Sequence, residues 1–246
     1  MLCASKFRGE NMYKICIDPG HGGSDPGAVN LNGGVYEKDI VLDVALKLKK
    51  LLLNSGFDVV MTRETDVFDT PVQKAKIANA SAADLFLSIH CNSYKLETAH
   101  GTETLYYPGA VDSEKFAKAL QEQLVTHLQL TDRGIKARKE LAVLNTTKMT
   151  AALVEIAFLS NPNEKRLLLN SGFRSHIAQA LFDGIQDYLK EMNIVIPAPK
   201  KEPTKAQKKA VVKKEYNFET NTMKYIEAYE FADALIDRLY EKVKGA

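Results

Sequence analysis

The sequence contains few cysteines and no long apolar run. The three cysteines, Cys3, Cys16 and Cys91, are too few and too scattered among 246 residues for a disulfide framework or a thiolate zinc site. No stretch approaches the roughly 18 apolar residues that cross a bilayer. The first residues carry charges but lack the apolar core of a secretory signal. We therefore expect synthesis in the cytoplasm, without a signal peptide and without a membrane span.

The charge balance excludes a further class of protein. The formal net charge is only +2, although a quarter of the residues are charged. A chain that binds nucleic acid over its whole surface has a strong excess of lysine and arginine. We therefore expect no nucleic-acid partner.

Short apolar segments alternate with amphipathic segments along most of the chain. Short apolar runs at residues 13–18, 57–63, 84–90, 141–145 and 152–158, several of them rich in Val, Ile and Leu, predict buried strands. The alternating segment 101–107 predicts a further strand, and the segments between several of these strands have helical spacing. This alternation predicts an α/β fold with a twisted, mostly parallel sheet and helices on both faces. Binding sites in such folds form beyond the carboxyl ends of the strands.

The composition changes near residue 196 and divides the chain. We predict a leader over residues 1–12, a main domain over 13–196, a Pro/Lys-rich linker over 197–215 and a C-terminal amphipathic helical segment over 216–246. The last segment carries one apolar stripe at helical spacing, which predicts a helix of about five turns: Tyr225, Tyr229, Ala232, Ile236, Leu239 and Val243. Because a single amphipathic helix leaves its apolar face uncovered, we expect it to dock on the main domain or to pair with another copy.

Two histidines follow predicted strands. His21 lies in the glycine-rich stretch "CIDPGHGGSDPGAVN", directly after the first strand, and His90 ends the apolar stretch "DLFLSIH". Glycines allow a backbone to wrap closely around a bound group. Each histidine taken singly has a structural interpretation, as a loop residue or as a hydrogen-bonded core residue. Their matching positions at strand ends favour a shared metal ion.

Two glutamates complete the candidate site. Glu37 opens the first helix after the loop that contains His21, so it can return over the same strand end, although an acid is favourable at any helix N-terminus. Glu155 interrupts the apolar stretch "AALVEIAFL", where a carboxylate is unfavourable unless it is paired, near a metal or protonated. Such an environment raises a carboxyl pKa and is typical of a general acid or base.

Two histidines and one carboxylate are a common ligand set of catalytic zinc, which keeps a fourth position for water. A second carboxylate near the metal can accept the proton of that water. The residue types therefore indicate metal-assisted hydrolysis of an acyl bond. They leave open which bond is cleaved, and they do not distinguish a catalytic zinc from a structural zinc or from a site without metal.

Five motifs occur in the order found in zinc-dependent N-acetylmuramoyl-L-alanine amidases of the amidase-3 type: "IDPGHGGSDPGA", "YEKDI", "FLSIHCNS", "RGIKARKELAVL" and "LVEIAFLSNPNE". The sequence resembles this family over about residues 13–192. The resemblance implies Zn²⁺ bound by His21, Glu37 and His90, with Glu155 as the catalytic glutamate. It further implies cleavage of the amide between N-acetylmuramic acid and L-alanine in bacterial peptidoglycan.

Other interpretations stay open at this point. Asn92 and Arg63 are weaker candidates for substrate contact. Asn92 can instead hold the loop after its strand, and Arg63 can instead form a structural ion pair with Asp66. The chain can also be a zinc carboxypeptidase that acts on wall peptides, or a non-catalytic wall-binding module. The resemblance fits a phage endolysin or a bacterial autolysin, and either would act on the cell wall after membrane permeabilisation or lysis.

Overall fold

The computed structural model describes residues 13–29, 34–195, 203–228 and 231–244. The predicted leader at 1–12 and the first part of the predicted linker lie outside these ranges. The chain divides into two compact units, Met1–Lys200 and Lys201–Ala246. Within the described ranges, none of the helices combines the length and the apolar character needed to cross a bilayer.

A six-stranded sheet forms the centre of the first unit. Its strands are β1 (Lys14–Pro19), β2 (Asp58–Met61), β3 (Leu85–Asn92), β4 (Thr102–Tyr106), β5 (Asp132–Ala137) and β6 (Thr150–Phe158), in the spatial order β2-β1-β3-β6-β4-β5. Only β4 and β6 pair antiparallel, whereas the other neighbouring strands are parallel. The predicted mostly parallel sheet is confirmed.

Helices cover both faces of this sheet. They are α1 (Glu37–Asn54), α2 (Pro71–Ala80), α3 (Val111–Leu128), α4 (Ala142–Asn145), α5 (Pro162–Leu169) and α6 (Ser171–Glu191). Alternate residues of a strand point to opposite faces, and the buried side chains accordingly form two clusters. Helices α1, α3 and α6 pack on one face with Ile15 and Leu87, while α2 and α4 pack on the other with Cys16 and Phe86.

Two elements of the first unit differ from the predicted strands. Residues 141–145 were expected to form a strand, but they contain the short helix α4, which buries Val143 and Leu144. A five-residue apolar run has no periodicity that separates a strand from a buried helical turn. Strand β5 was not predicted, because it lies at the sheet edge and its partly exposed residues Asp132, Arg133 and Lys136 give it no apolar pattern.

In residues 203–228 and 231–244, the described part of the second unit, the chain forms three helices: α7 (Lys205–Glu215), α8 (Thr220–Glu227) and α9 (Ala232–Lys244). Residues 205–215 of the predicted Pro/Lys-rich linker therefore form a helix, α7, in the structure. Thr204 and Gln207 form a reciprocal capping box that starts α7, and Ala, Lys and Gln propagate it. The predicted single five-turn helix is likewise replaced by α8 and α9. An ion pair between Lys208 and Asp237, at 2.9 Å, links α7 to α9.

Candidate metal centre and active site

The loop after β1 folds closely around the imidazole of His21. This residue has a φ of +57°, in the left-handed region that side chains rarely adopt. Gly27 has no room for a side chain, since a Cβ there would lie 2.5 Å from Cδ2 of His21 and 2.6 Å from Oε2 of Glu37. Asp25 Oδ2 lies 2.8 Å from Nδ1 of His21. Because a carboxylate only accepts, this contact keeps a proton on Nδ1 and leaves Nε2 as the ligand atom.

Glu37 joins the two predicted histidines. It is the first residue of α1 and is only 3% exposed. Its Oε2 accepts a hydrogen bond from the backbone N–H of Ala28 at 2.8 Å, and its Oε1 accepts one from that of Cys91 at 2.9 Å. Oε1 also lies 2.9 Å from Nδ1 of His90 and 3.2 Å from Nε2 of His21. These contacts fix the carboxylate between the two imidazole rings.

One ligand atom from each of His21, Glu37 and His90 lies within 4.8 Å of the others. The ring centroids of the two histidines are 4.9 Å apart and nearly perpendicular. Gly20 permits this approach, since a Cβ there would lie 2.3 Å from the ring of His90. The group offers two imidazole nitrogens and one carboxylate oxygen, and Asp25 fixes the imidazole of His21. This arrangement matches the ligand chemistry of catalytic zinc. The three predicted residues therefore meet in one place and fit a divalent cation.

The electrostatics of this centre favour positive charge. Burial alone would lower the pKa of His21, but the hydrogen bonds and charges of Glu37 and Asp25 outweigh it and raise that pKa to about 9. The pKa of His90 is likewise raised despite burial, chiefly by Glu37. The same two imidazoles lower the pKa of the buried Glu37. A metal cation would replace protons that the ligands otherwise hold.

Glu155 lies beside this group on β6. It is the register partner of His90 across the parallel β3–β6 pair, so both side chains project from the same face of the sheet. Its Oε2 is buried and has no hydrogen-bond partner among the described residues. Burial raises the pKa of Glu155 to about 7. An uncompensated carboxylate with a pKa near neutrality is suited to accepting and returning a proton.

A second carboxylate lies opposite Glu155 and has a different environment. Glu103 on β4 faces Glu155 across the antiparallel β4–β6 pair. Its Oε2 lies 2.6 Å from Nε of Arg133 and 2.5 Å from Nζ of Lys136. Burial opposes ionisation of Glu103, but these two cations outweigh it and lower its pKa. Only Glu155 of this pair is therefore left free to act on a substrate proton.

The two weaker substrate candidates make internal contacts. Arg63 is buried and donates to the backbone carbonyls of Pro19, Gly20, Lys38 and Thr65 at 2.8–3.1 Å. These bonds use four of its five N–H groups, so they favour support of the loop over substrate contact.

The side chain of Asn92 also makes hydrogen bonds within the protein. Its Nδ2 donates to Glu103 Oε1 at 3.2 Å, and its Oδ1 accepts from the backbone N–H of Ser93 at 2.9 Å. The contacts therefore favour the interpretation in which Asn92 holds the loop after β3, and a substrate role stays a prediction.

Sequence reasoning missed the side chains that support the centre. Asp25 follows His21 by four residues in the quoted motif, and only this spacing and its acidic character could have signalled a contact. Asp18 and Lys74 form a buried ion pair at 3.0 Å beneath the loop. An aspartate at the end of the apolar stretch "ICID" is the one available signal for this pair, while Lys74 lies in a helix whose sequence gives none.

A cavity opens beside the ligand residues on the face covered by α2 and α4. Its volume is about 140 Å³. Its lining includes apolar residues, among them Pro71, Leu141 and Val143, together with His21, His90 and Lys74. The centre is therefore accessible to a small group of a ligand.

Comparisons with known proteins agree with this geometry. A family model described as Amidase_3, N-acetylmuramoyl-L-alanine amidase, matches residues 15–187. A germination-specific N-acetylmuramoyl-L-alanine amidase from Bacillus subtilis (strain 168) is 35% identical over 191 residues, which cover 72% of this chain and 80% of that protein. The endolysin of Bacillus phage SPP1 is 35% identical over 243 residues, which cover 94% of this chain and 84% of that protein.

A solved structure has the same fold. The crystal structure of an N-acetylmuramoyl-L-alanine amidase from Clostridium difficile 630 matches with a TM-score of 0.71 and 36% identity, covering 73% of this chain and 98% of that one. The family match includes every residue of the centre described above and covers more than half of the chain. The predicted resemblance is confirmed, and the chain belongs to the N-acetylmuramoyl-L-alanine amidase family of peptidoglycan hydrolases.

Proposed function

We propose that this chain hydrolyses the amide bond between the lactyl group of N-acetylmuramic acid and L-alanine, with Zn²⁺ held by His21, Glu37 and His90. When bound there, Zn²⁺ would polarise the scissile carbonyl and lower the pKa of water towards about 7. Asp25 and the two backbone N–H groups on Glu37 keep the ligand atoms oriented. The family membership and the match of ligand chemistry support this assignment.

Glu155 supplies the proton transfer in this scheme. Its Oε2 accepts a proton from the attacking water as the new C–O bond forms. It then returns that proton to the nitrogen of L-alanine as the C–N bond breaks, so the products are a carboxylic acid and an amine. The observation that carries the proposal is the buried, unpartnered Oε2 beside the three ligand residues. A pKa near 7 allows both transfers at neutral pH.

Digestion of purified peptidoglycan tests this proposal. Full-length protein should release intact stem peptides from intact glycan strands, as identified by mass spectrometry. A chelator should abolish the reaction, and added Zn²⁺ should restore it. Release of single terminal amino acids would instead establish a carboxypeptidase. Activity that survives complete metal removal would contradict the zinc mechanism.

The variant Glu155→Gln separates an enzyme from a wall-binding module. We expect it to retain binding to purified walls and to lose roughly 10²- to 10⁴-fold in hydrolysis rate, the range of general acid–base catalysis. Glu103→Gln is the matched control, because it neutralises the neighbouring carboxylate whose charge is already compensated. Equal losses in both variants would remove Glu155 from its proposed role.

We further propose that the chain acts in the manner of an endolysin, on the wall of a cell whose membrane has been permeabilised. The match to the phage SPP1 endolysin covers 94% of the chain and so continues into the second unit. The match to the germination-specific amidase covers only 72% of this chain. Expression inside a susceptible bacterium should cause lysis only after a pore-forming agent is added. Lysis without that agent would contradict this proposal.

A further inference from the structure

Two buried, positively charged side chains donate hydrogen bonds to the backbone that leads into the proposed metal centre. Lys74 of α2 is 3% exposed, and its Nζ lies 2.6 Å from the carbonyl oxygen of Pro19 and 3.1 Å from that of His21. Arg63 donates to the carbonyl of Pro19 at 3.1 Å and to that of Gly20 at 2.8 Å. Three consecutive carbonyl groups of the loop thus accept hydrogen bonds from charged side chains.

The ammonium group of Lys74 is itself held in place by Asp18. Asp18 Oδ1 lies 3.0 Å from Nζ of Lys74, and both side chains are almost fully buried. The carboxylate of Asp18 also accepts hydrogen bonds from Thr62 Oγ1 at 2.6 Å and from Ser88 Oγ at 2.7 Å. This network joins residues of β1 and β3 and the end of β2 to α2. Asp18 compensates the charge of the ammonium, which would therefore oppose less strongly a cation held by His21, Glu37 and His90.

The three N–H groups of Lys74 are all used. An ammonium has three donors, and three acceptors surround this one: the carbonyl oxygens of Pro19 and His21 and the carboxylate of Asp18. None remains for a substrate. Lys74 therefore acts on the centre indirectly, through the loop carbonyl groups that it holds and through Asp18.

That loop is the part of the centre with the least favourable backbone. His21 has a Cβ and a φ of +57°, a conformation that persists only where the surrounding structure holds it. The carbonyl group of the same residue receives the hydrogen bond from Lys74. Loss of that bond would free His21 to relax towards negative φ. The rotation would move Nε2 away from the ligand atoms of Glu37 and His90.

We propose that Lys74 is a positioning residue of the metal centre, which holds the backbone of residues 19–21 so that Nε2 of His21 meets the other two ligands. This inference rests on the metal site in the function proposed above. It predicts that the affinity for metal depends on a lysine whose ammonium group is hydrogen-bonded entirely within the protein.

Metal titration of the full-length chain tests the inference. The metal-free protein and its variants are titrated with Zn²⁺ against a chromogenic chelator, under conditions where circular dichroism shows each variant folded. Co²⁺ is then substituted, because its visible absorption spectrum reports the geometry of the ligands. Lys74→Met should weaken Zn²⁺ binding by about 10- to 100-fold, the range for residues that orient metal ligands, and should alter the Co²⁺ spectrum. Lys74→Arg should restore most of the affinity.

Lys14→Met is the matched control. Lys14 also donates to a backbone carbonyl, that of Ser81 at 3.2 Å, and pairs with an aspartate, Asp58 at 3.3 Å, but it lies at the other end of β1. The Lys14→Met variant should therefore have the Zn²⁺ affinity and the Co²⁺ spectrum of the wild type. If Lys74→Met does not fold, Lys74→Gln replaces it, because the shorter amide cannot reach both carbonyls. The affinity of Lys74→Gln should also fall.

The outcomes separate this inference from the proposed function. If the wild-type protein binds no metal, the proposed function fails. If the wild type binds Zn²⁺ and the folded Lys74 variants bind it equally well, only the positioning role is overturned. Equal weakening by Lys74→Met and Lys14→Met would also overturn it, because the effect would then be general destabilisation.

Discussion

Replacing Glu155 by glutamine should stabilise the metal-free protein while it removes activity. In the folded chain, burial raises the pKa of Glu155 from 4.5 to about 7. Each pKa unit corresponds to about 1.4 kcal/mol, so the ionised carboxylate lowers the free energy of unfolding by up to about 3 kcal/mol. Glutamine has nearly the same shape and carries no charge. It should therefore recover most of that free energy wherever the glutamate would be ionised.

The sign of the pH dependence follows from the raised pKa. Between pH 4.5 and about 7 the folded state holds a proton that the unfolded state has released, so the stability contributed by this group falls as pH rises through that window. The unfavourable effect is complete above pH 7 and absent below pH 4.5. The difference in unfolding free energy between Glu155→Gln and wild type should accordingly be near zero at pH 4.5 and about 1–3 kcal/mol in favour of the variant at pH 8.

Urea denaturation in the presence of a chelator measures this difference, with circular dichroism as the signal. Glu103→Gln is the internal control, because its carboxylate is paired with Arg133 and Lys136 and its pKa is lowered. That variant should lose stability at pH 8. A Glu155→Gln protein that is less stable than wild type at pH 8, or whose gain is equal at both pH values, would refute the reasoning.

Three further predictions concern the proposed metal site and the stability of the first unit. Zn²⁺ binding at pH 7 should release at least one proton, because the raised pKa of His21, about 9, keeps its imidazole protonated in the metal-free chain. Calorimetry in buffers of different ionisation enthalpy measures the proton release. A binding heat that does not depend on the buffer would contradict the prediction. Gly27→Ala should abolish Zn²⁺ binding in a chelator competition. The control is Gly109→Ala, which is also at positive φ but has nothing within 4 Å of the added Cβ, so it should only lower stability. Equal Zn²⁺ affinity in the two variants would contradict the steric argument. Glu164→Ala should lower the free energy of unfolding by roughly 2–6 kcal/mol, since the backbone N–H groups of Gly101 and Phe158 lose the acceptor that each contacts at 2.6 Å. A loss below about 1 kcal/mol in urea denaturation would contradict it.

The sequence was sufficient to predict the residues that interrupt a local pattern. His90 and Glu155 interrupt apolar strands, and His21 interrupts a glycine-rich turn. Parallel strands bring such residues to one edge of the sheet, so their proximity could be inferred without knowing the strand order. The family resemblance then added the role of Glu37, which by its local pattern is an ordinary helix N-terminal acid.

The supporting residues could not be predicted, because their roles depend on contacts between distant segments. Lys74 reads as one polar position of a helix, and nothing local shows that its ammonium reaches Asp18, 56 positions earlier. The same holds for Arg63, whose four carbonyl partners lie on three segments. Strand β5 was missed for a related reason, since an edge strand needs no apolar alternation when its side chains stay partly exposed.

The stability of this fold should depend on the divalent cation that we propose it binds. The metal-free centre concentrates unfavourable features, namely the left-handed backbone of His21 and the uncompensated carboxylate of Glu155. A divalent cation attracts the carboxylate and fixes the imidazole, so it offsets both. A ligand that binds only the folded state adds RT ln(1 + [L]/Kd) to the free energy of unfolding, about 4 kcal/mol at a thousandfold excess over Kd. Zinc should therefore stabilise the wild type more than Glu155→Gln, because the variant has no carboxylate charge left to compensate.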